Sequence, residues 1–195
     1  MKNVNKFLFT IIILFIVFGL SLETFANSSS LFTKSCLKDS KEFVVKKIFD
    51  GDTILVETLR RNVSTNGDYK IRLLGIDAFE HDQLPFGPKG KEFLTMLLLN
   101  KTVCVETDVN EKDIYGRMLG YVFSDSMFIN EELLKNGLVI LYDFPPNIKY
   151  IDRLKKAQRN ARENMLGVWE KQNFILETPA QWRKGHPFKK KSLKI

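Results

Sequence analysis

Apolar residues fall in short β-type runs separated by turn chemistry over most of the chain. From Glu42, the run Phe43, Val44, Val45 and Ile48 leads into a turn at Asp50-Gly51, and Ile54 to Leu59 resumes the same composition. A polar interval from Arg60 to Asp68 carries Asn66-Gly67, a strong hairpin signal, and Tyr69 to Ile76 then reads as a third strand. The period changes at Gly87-Pro88. Proline suits the first turn of a helix, and Phe93, Met96 and Leu97 recur at helical spacing through Leu99, with Asn100 as the stop. Thr102 to Thr107 and Met118 to Phe123 read as the fourth and fifth strands, and Ile129 to Lys135 as a short helix ended by Asn136-Gly137. A longer amphipathic helix spans roughly Lys149 to Asn164. It turns Ile151, Leu154, Ala157 and Ala161 inward and Lys155, Lys156, Arg159 and Arg162 outward, with Trp169 placed to pin its exit. Five short strands with a helix after the third predict an α+β, mainly β fold: a five-stranded OB-type barrel with about three helices. Fold alone licenses no activity.

The first residues follow another pattern. Phe7 to Leu20 is an uncharged apolar run preceded by Lys2 and Lys6, and Ser21-Leu22-Glu23-Thr24-Phe25-Ala26 then leads into Asn27-Ser28-Ser29-Ser30. A basic start, a short apolar core and a small residue at the cut site predict a signal peptide over 1–26, cleaved after Ala26. The run falls short of the ~20 residues that span a bilayer comfortably. The predicted organisation is a signal peptide at 1–26, an N-terminal arm at 27–41, the globular domain at 42–170 and a basic C-terminal tail at 171–195. A secreted or periplasmic location follows from the leader.

With 195 residues, 44% hydrophobic and 12% aromatic, the chain is too apolar to be disordered and has room for one core. The net charge of +7 is concentrated at the C-terminus: residues 181–195 carry six basic side chains and no acid, whereas residues 27–180 are neutral overall. Such a tail suits a polyanion, although a solvated tail is the plainer reading. Two cysteines, Cys36 and Cys104, permit one disulfide in an exported chain. Cys104 also fits a buried thiol in its apolar run, so both readings stand. No Cys-x-x-Cys pair exists, and only two histidines, which argues against a zinc site.

Three clusters lie on turns or strand ends: Asp50-Gly51-Asp52-Thr53, Arg72-Leu73-Leu74-Gly75-Ile76-Asp77-Ala78-Phe79-Glu80 and Asp113-Ile114-Tyr115-Gly116-Arg117. Singly, each has an ordinary structural explanation in turn chemistry or capping. Together they supply what phosphodiester cleavage needs. Carboxylates without Cys or His favour a hard cation such as Ca²⁺ or Mg²⁺, and Asp52 and Asp77 can provide that site. Glu80 could face the same cleft and take a proton from water. Arg72 and Arg117 offer bidentate donors to a phosphate whose charge rises in the transition state, a fork that Lys lacks. Tyr115 adds an aromatic surface and a hydroxyl. His81 and His186 read as a loop and a tail residue, and Trp182 as an anchor of the tail on the body.

In these motifs, in their order and spacing, the chain resembles the staphylococcal nuclease (thermonuclease) family. The likeness extends through Ile129-Asn130-Glu131 and Asn136-Gly137-Leu138 to Gly167-Val168-Trp169, covering about residues 42–170. The resemblance implies one Ca²⁺ ion held by Asp52, Asp77 and the backbone carbonyl of Ala78, with Glu80 orienting or deprotonating the attacking water. It implies that Arg72 and Arg117 clamp the scissile phosphate and that Tyr115 and Tyr142 contact a terminal phosphate or stack on a base. DNA and RNA, flexible or single-stranded, would be the substrates, 3′-phosphates the product ends, and a monomer the working form. Two departures stand out. Phe79 takes the place of the family's frequent Pro before the catalytic Glu, which relaxes the loop and could misplace Glu80. Ile114 replaces a Lys before Tyr-Gly-Arg, removing a phosphate contact.

The expected function is therefore an exported, Ca²⁺-dependent, sugar-nonspecific nuclease. Its rivals are a catalytically weak or inactive OB-type module that only binds nucleic acid, and a membrane-tethered protein whose tail binds anionic polymer. Five retained catalytic-type residues argue against the first, since binding alone needs no carboxylates beside phosphate.

Overall fold

A computed structural model of the protein describes residue 36 and residues 40–58, 67–170 and 177–187. The predicted signal peptide, nearly all of the arm and the Asn66 side of the predicted hairpin turn lie outside the described residues. Among the described residues, no helix is long and apolar enough to cross a membrane.

Strands β1 (Ser40–Ile48), β2 (Thr53–Thr58) and β3 (Asp68–Leu73) form an antiparallel meander. Strand β1 carries a bulge at Lys46: Val45 pairs with Val56, but Lys47 already pairs with Leu55. The extra residue increases the local bend, and β1 serves two neighbours, pairing also with β5 (Thr102–Glu106). Strand β6 (Met118–Ser124) adds antiparallel to β5 and closes the ring by a parallel pairing with β3, Ile71 to Met118 and Leu73 to Gly120. The five strands thus make a closed, mixed barrel of the predicted OB type. Closure leaves no open edge among them.

The sequence reading needs three adjustments. The predicted third strand, Tyr69 to Ile76, breaks after Leu73, and Ile76–Ala78 forms a separate strand, β4, which leaves the barrel to pair with β8 (Val139–Leu141). The break is dictated at Gly75, whose φ of 75° is a left-handed conformation. A Cβ there would meet Leu154 Cδ1 at 2.3 Å. A two-residue strand, β7 (Met127–Phe128), extends β6 as a hairpin. Among the described residues the helices number four, against about three expected: α1 (Phe86–Leu98), α2 (Ile129–Lys135), α3 (Ile151–Glu163) and α4 (Pro179–Gly185), the last inside the predicted tail.

The core is one cluster in which Val45, Ile54, Ile71 and Val105 of the barrel meet Leu94 and Leu98 of α1, Leu133 and Leu134 of α2 and Leu154 of α3. Each such side chain contributes roughly 1.5–3 kcal/mol by leaving water. One polar residue crosses this core. Asn130 is fully buried; its Oδ1 accepts from Val122 N (2.9 Å) and its Nδ2 donates to Leu74 O (2.8 Å), so α2 holds both β6 and the β3–β4 turn. Cys36 and Cys104 are joined by a disulfide, which decides between the two readings of the sequence and ties the arm to β5.

Candidate active site

The first cluster is a turn between β1 and β2 that presents Asp52. Asp52 N donates to Asp50 Oδ1 (3.0 Å), and Asp52 O accepts from Leu73 N (2.8 Å), which fixes the turn against β3. The Asp52 carboxylate accepts from Thr53 Oγ1 (2.9 Å) at Oδ1 and from Ala78 N (2.7 Å) at Oδ2. Burial pushes this carboxyl above the usual range, Arg72 opposes the rise and Asp50 adds to it.

Arg72 is the hinge of the second cluster. It stands at the end of β3 opposite Thr53, and its guanidinium folds over the β3–β4 turn. Nη1 donates to Leu73 O (2.7 Å) and Ile76 O (2.8 Å). Nη2 lies 3.1 Å from both Asp77 Oδ1 and Asp52 Oδ2. One nitrogen thus draws together two carboxylates from different turns, both nearly out of contact with water. Buried carboxylates persist only with such compensation.

Glu80 follows on the loop between β4 and α1. Its N–H donates to Gln83 Oε1 (2.9 Å), and its carbonyl accepts from Gln83 N (2.9 Å). Helix α1 closes tightly on this carbonyl: a Cβ on Gly87 would lie 1.9 Å from Glu80 O, so glycine is required there. Phe79 does not leave the loop loose. Its ring is buried, 5.7 Å from that of Phe86, in a small cluster with Val168 and Trp169. Packing at Phe79 and the Gln83 bonds fix the loop where Pro would otherwise restrict φ.

The third cluster is a turn before β6. Asp113 Oδ1 accepts from Tyr115 N and Arg117 N (2.9 Å each), and Oδ2 accepts from Arg117 Nε (2.6 Å). Burial raises the Asp113 carboxyl, but these bonds outweigh it and hold the group below the usual range. Tyr115 is 78% exposed and Ile114 92%, so both side chains stand in solvent; the Arg117 guanidinium lies 5.6 Å from the Tyr115 ring centroid.

A cleft of about 470 Å³ lies between the second and third clusters. Arg72, Asp77, Tyr115, Arg117 and Tyr142 line it, and Tyr142 stacks on Phe144 with centroids 5.9 Å apart. Asp52, Ala78 and Glu80 do not line this cleft. They join it through shared partners: Asp52 through Arg72 and Ala78, and Glu80 through Arg183. The Arg183 guanidinium donates to Glu80 Oε1 (2.8 Å) and to Asp77 Oδ2 (2.8 Å) and Oδ1 (3.3 Å). Sequence reasoning assigned Arg183 to a tail and gave Asp113 and Gln83 no role. Asp113 carried a local signal, since an acid four residues before an Arg in a tight turn can brace it. Arg183 carried none, because 103 positions separate it from Glu80.

The donor set suits a hard cation. Asp52 and Asp77 present carboxylate oxygens that already share one positive partner, and no Cys or His lies in the set. Among the described residues no group of three His, Cys, Asp or Glu side chains converges as ligands. The protein would therefore supply two carboxylates, with the Ala78 carbonyl and waters completing the shell, as weakly dehydrated oxygen-seeking cations allow.

Residues 70–171 match the family described as Staphylococcal nuclease homologue. The chain is 32% identical over 167 residues to a thermonuclease of Staphylococcus intermedius, covering 83% of this chain and 96% of that protein. It is 31% identical to a thermonuclease of Staphylococcus hyicus, covering 87% of this chain and 99% of the other. A prophage-derived endonuclease of Bacillus subtilis is 35% identical over 147 residues, which is 72% of this chain and 48% of that protein.

Proposed function

The chain belongs to the staphylococcal nuclease family, and from that premise we propose that it is an exported, Ca²⁺-dependent, sugar-nonspecific nuclease acting on DNA and RNA. The observation that carries this reading is the convergence of Asp52 and Asp77 on one nitrogen of Arg72, beside Glu80 and at the edge of the cleft holding Arg117. Two buried carboxylates next to a cleft lined by Arg72 and Arg117 would repel phosphate in simple nucleic-acid binding, which supports the catalytic reading.

Asp52 and Asp77, with the Ala78 carbonyl, would hold Ca²⁺. The cation held there would supply positive charge beside the phosphate and would lower the cost of deprotonating water. Glu80 accepts the proton of the attacking water through its carboxylate. Arg117 donates to the phosphate oxygens as their charge grows, and Asp113 keeps the guanidinium oriented for that contact. Arg72 fixes the two carboxylates and adds positive charge beside the phosphate. In-line attack forms a bond from the water oxygen to phosphorus as the P–O5′ bond breaks; the phosphate stays on the 3′ side and the 5′ oxygen takes a proton from solvent and leaves as a hydroxyl. The exposed Tyr115 and the Tyr142–Phe144 stack offer faces to unpaired bases, so flexible or single-stranded stretches are the preferred substrates. The basic segment 181–195 adds salt-sensitive affinity without sequence choice.

The test is cleavage of denatured DNA by the mature chain from Asn27 onward, with Ca²⁺ or with chelator, alongside Glu80→Gln and Arg117→Ala. Metal-dependent cutting that falls by about 10²-fold or more in both variants is the expected result. Salt-sensitive binding without cutting would leave only a binding module. N-terminal sequencing of the secreted or periplasmic fraction checks export, and an intact Met1 in membranes would overturn cleavage of the leader.

A further inference from the structure

We propose that helix α4 is an internal latch on the active site, with Arg183 held on the carboxylates of Asp77 and Glu80 in competition with the metal and the attacking water. The inference rests on the reading of Asp77 as a metal ligand and Glu80 as the proton acceptor.

The latch is a built element. Thr178 caps α4 with a full capping box, its Oγ1 accepting from Gln181 N (3.3 Å) while Gln181 Oε1 accepts from Thr178 N (2.8 Å). Pro179 is buried in the first turn. Gln83, the residue that holds the Glu80 loop, also reaches the start of the segment, donating to Glu177 O at 3.4 Å. From that footing Arg183 presents its fork: Nη2 to Asp77 Oδ2 (2.8 Å), and Nη1 to both Asp77 Oδ1 (3.3 Å) and Glu80 Oε1 (2.8 Å). Its side chain is about one-third exposed, so these charge-assisted bonds are partly shielded from water. The neighbouring Lys184 makes no such contact and faces solvent.

Arg183 and a cation compete for Asp77. Asp77 Oδ1 already accepts from Arg72 and Arg183, and Oδ2 accepts from Arg183. A divalent ion on Asp77 would compete for these same lone pairs and repel the guanidinium beside them. Glu80 Oε1 likewise accepts from Arg183, which leaves fewer of the Glu80 lone pairs to face the attacking water. By linkage, whatever Arg183 takes from metal affinity the metal takes from the hold of α4. Arg183 thus sets the Ca²⁺ concentration at which the enzyme opens, and residues 177–187 swing off the site when it does. A third phosphate-binding arginine is the competing role, and it predicts the opposite effect on turnover.

The experiment measures Ca²⁺ affinity by calorimetry on the mature chain and on Arg183→Ala, Arg183→Lys and Lys184→Ala, with the Ca²⁺ dependence of cleavage in parallel. The latch predicts Ca²⁺ binding at least ~5-fold tighter in Arg183→Ala, with Arg183→Lys between it and the parent because Lys lacks the fork. Lys184→Ala, which removes the same charge from the same helix, stays within about twofold. The half-maximal Ca²⁺ for cleavage falls in step with affinity, and turnover at saturating Ca²⁺ does not fall. Equal Ca²⁺ affinity in parent and Arg183→Ala would overturn the latch while leaving the metal site intact. Tighter binding in Lys184→Ala to the same degree would reduce the effect to general charge and also overturn it. Loss of turnover at saturating Ca²⁺ in Arg183→Ala would make Arg183 a substrate contact instead. Absence of Ca²⁺ binding in every form would refute the metal reading itself, and with it any competition for the metal.

Discussion

The carboxylate of Asp113 binds Arg117 twice, once at the backbone N–H and once at Nε, so a single side chain sets both the turn and the direction of the guanidinium. With Tyr115 N as a third donor, the Tyr115-Gly116-Arg117 turn is braced before any substrate arrives. A pre-oriented donor pays no reorganisation cost as charge develops on the phosphate.

Replacing Asp113 by Ala should therefore lower kcat by about 10-fold to 10²-fold, with a smaller change in KM. Arg117 remains present and charged, so ground-state attraction for the polyanion persists while the transition-state contact is displaced. Steady-state kinetics on denatured DNA reads the split, and a pure KM effect would assign Asp113 to substrate binding alone.

Arg72 carries a structural debt as well as a chemical role. Removing it strands Asp52 and Asp77, which are 6% and 3% exposed, with one fewer positive partner. Arg72→Ala should cost about 3–5 kcal/mol of stability in addition to activity. Arg72→Lys should recover part of the stability but little of the activity, because an ammonium cannot span Leu73 O, Ile76 O and both carboxylates at once. Urea unfolding under chelator measures the first effect. A loss below ~1 kcal/mol would show that the carboxylates find other partners.

Acid should weaken the α2–α3 contact. Glu131 accepts from Arg153 Nη2 at 2.5 Å and lies 3.3 Å from Lys135 Nζ. Burial pushes its carboxyl up, but Arg153 and Lys135 outweigh that and hold it below the usual glutamate range. The folded pKa thus lies below the unfolded one near ~4.3. The contribution is complete above that unfolded value and is lost as pH falls through the folded one. Urea midpoints of the parent and Glu131→Gln should differ near neutral pH and converge as pH falls through the depressed folded pKa. A gap that does not change with pH would place the effect in packing rather than charge.

The Cys36–Cys104 bridge closes a span of 68 residues that includes β1, β2, β3 and α1. Cross-linking restricts the unfolded chain more than the folded one, so reduction or Cys36→Ser should cost about 2–4 kcal/mol. Thermal unfolding with and without reductant measures it. An unchanged midpoint would mean the arm adds nothing to the barrel.

Much of this was legible because its physical cause is local. Period-2 and period-3.6 patterning marked the five barrel strands and the helices at Ile129–Lys135 and Ile151–Glu163 to within a few residues. The three motifs likewise disclosed their residue types, carboxylates beside Arg on tight turns, and their joint order carried the likeness to the nuclease family. Less was legible where two distant segments compete. Tyr69 to Ile76 has one apolar pattern, yet the strand breaks at the left-handed Gly75, where Leu154, 79 positions later, fills the space a Cβ would take and so requires glycine. Phe79 looked like the loss of a rigid proline, and only its burial against Phe86 shows how the loop is held.

The sequence by itself determined the strands, the helices and the residue types of the three motifs, since hydrophobic period, turn propensity and side-chain functional groups act over a few residues. Tertiary structure alone decided which charges meet. Arg72 draws Asp52 and Asp77 onto one nitrogen, and Arg183 crosses from the far end of the chain to Asp77 and Glu80. Electrostatic partnership depends on distance in space, and the parallel closure of β3 on β6 and the docking of α4 set that distance without leaving a periodic trace in the chain.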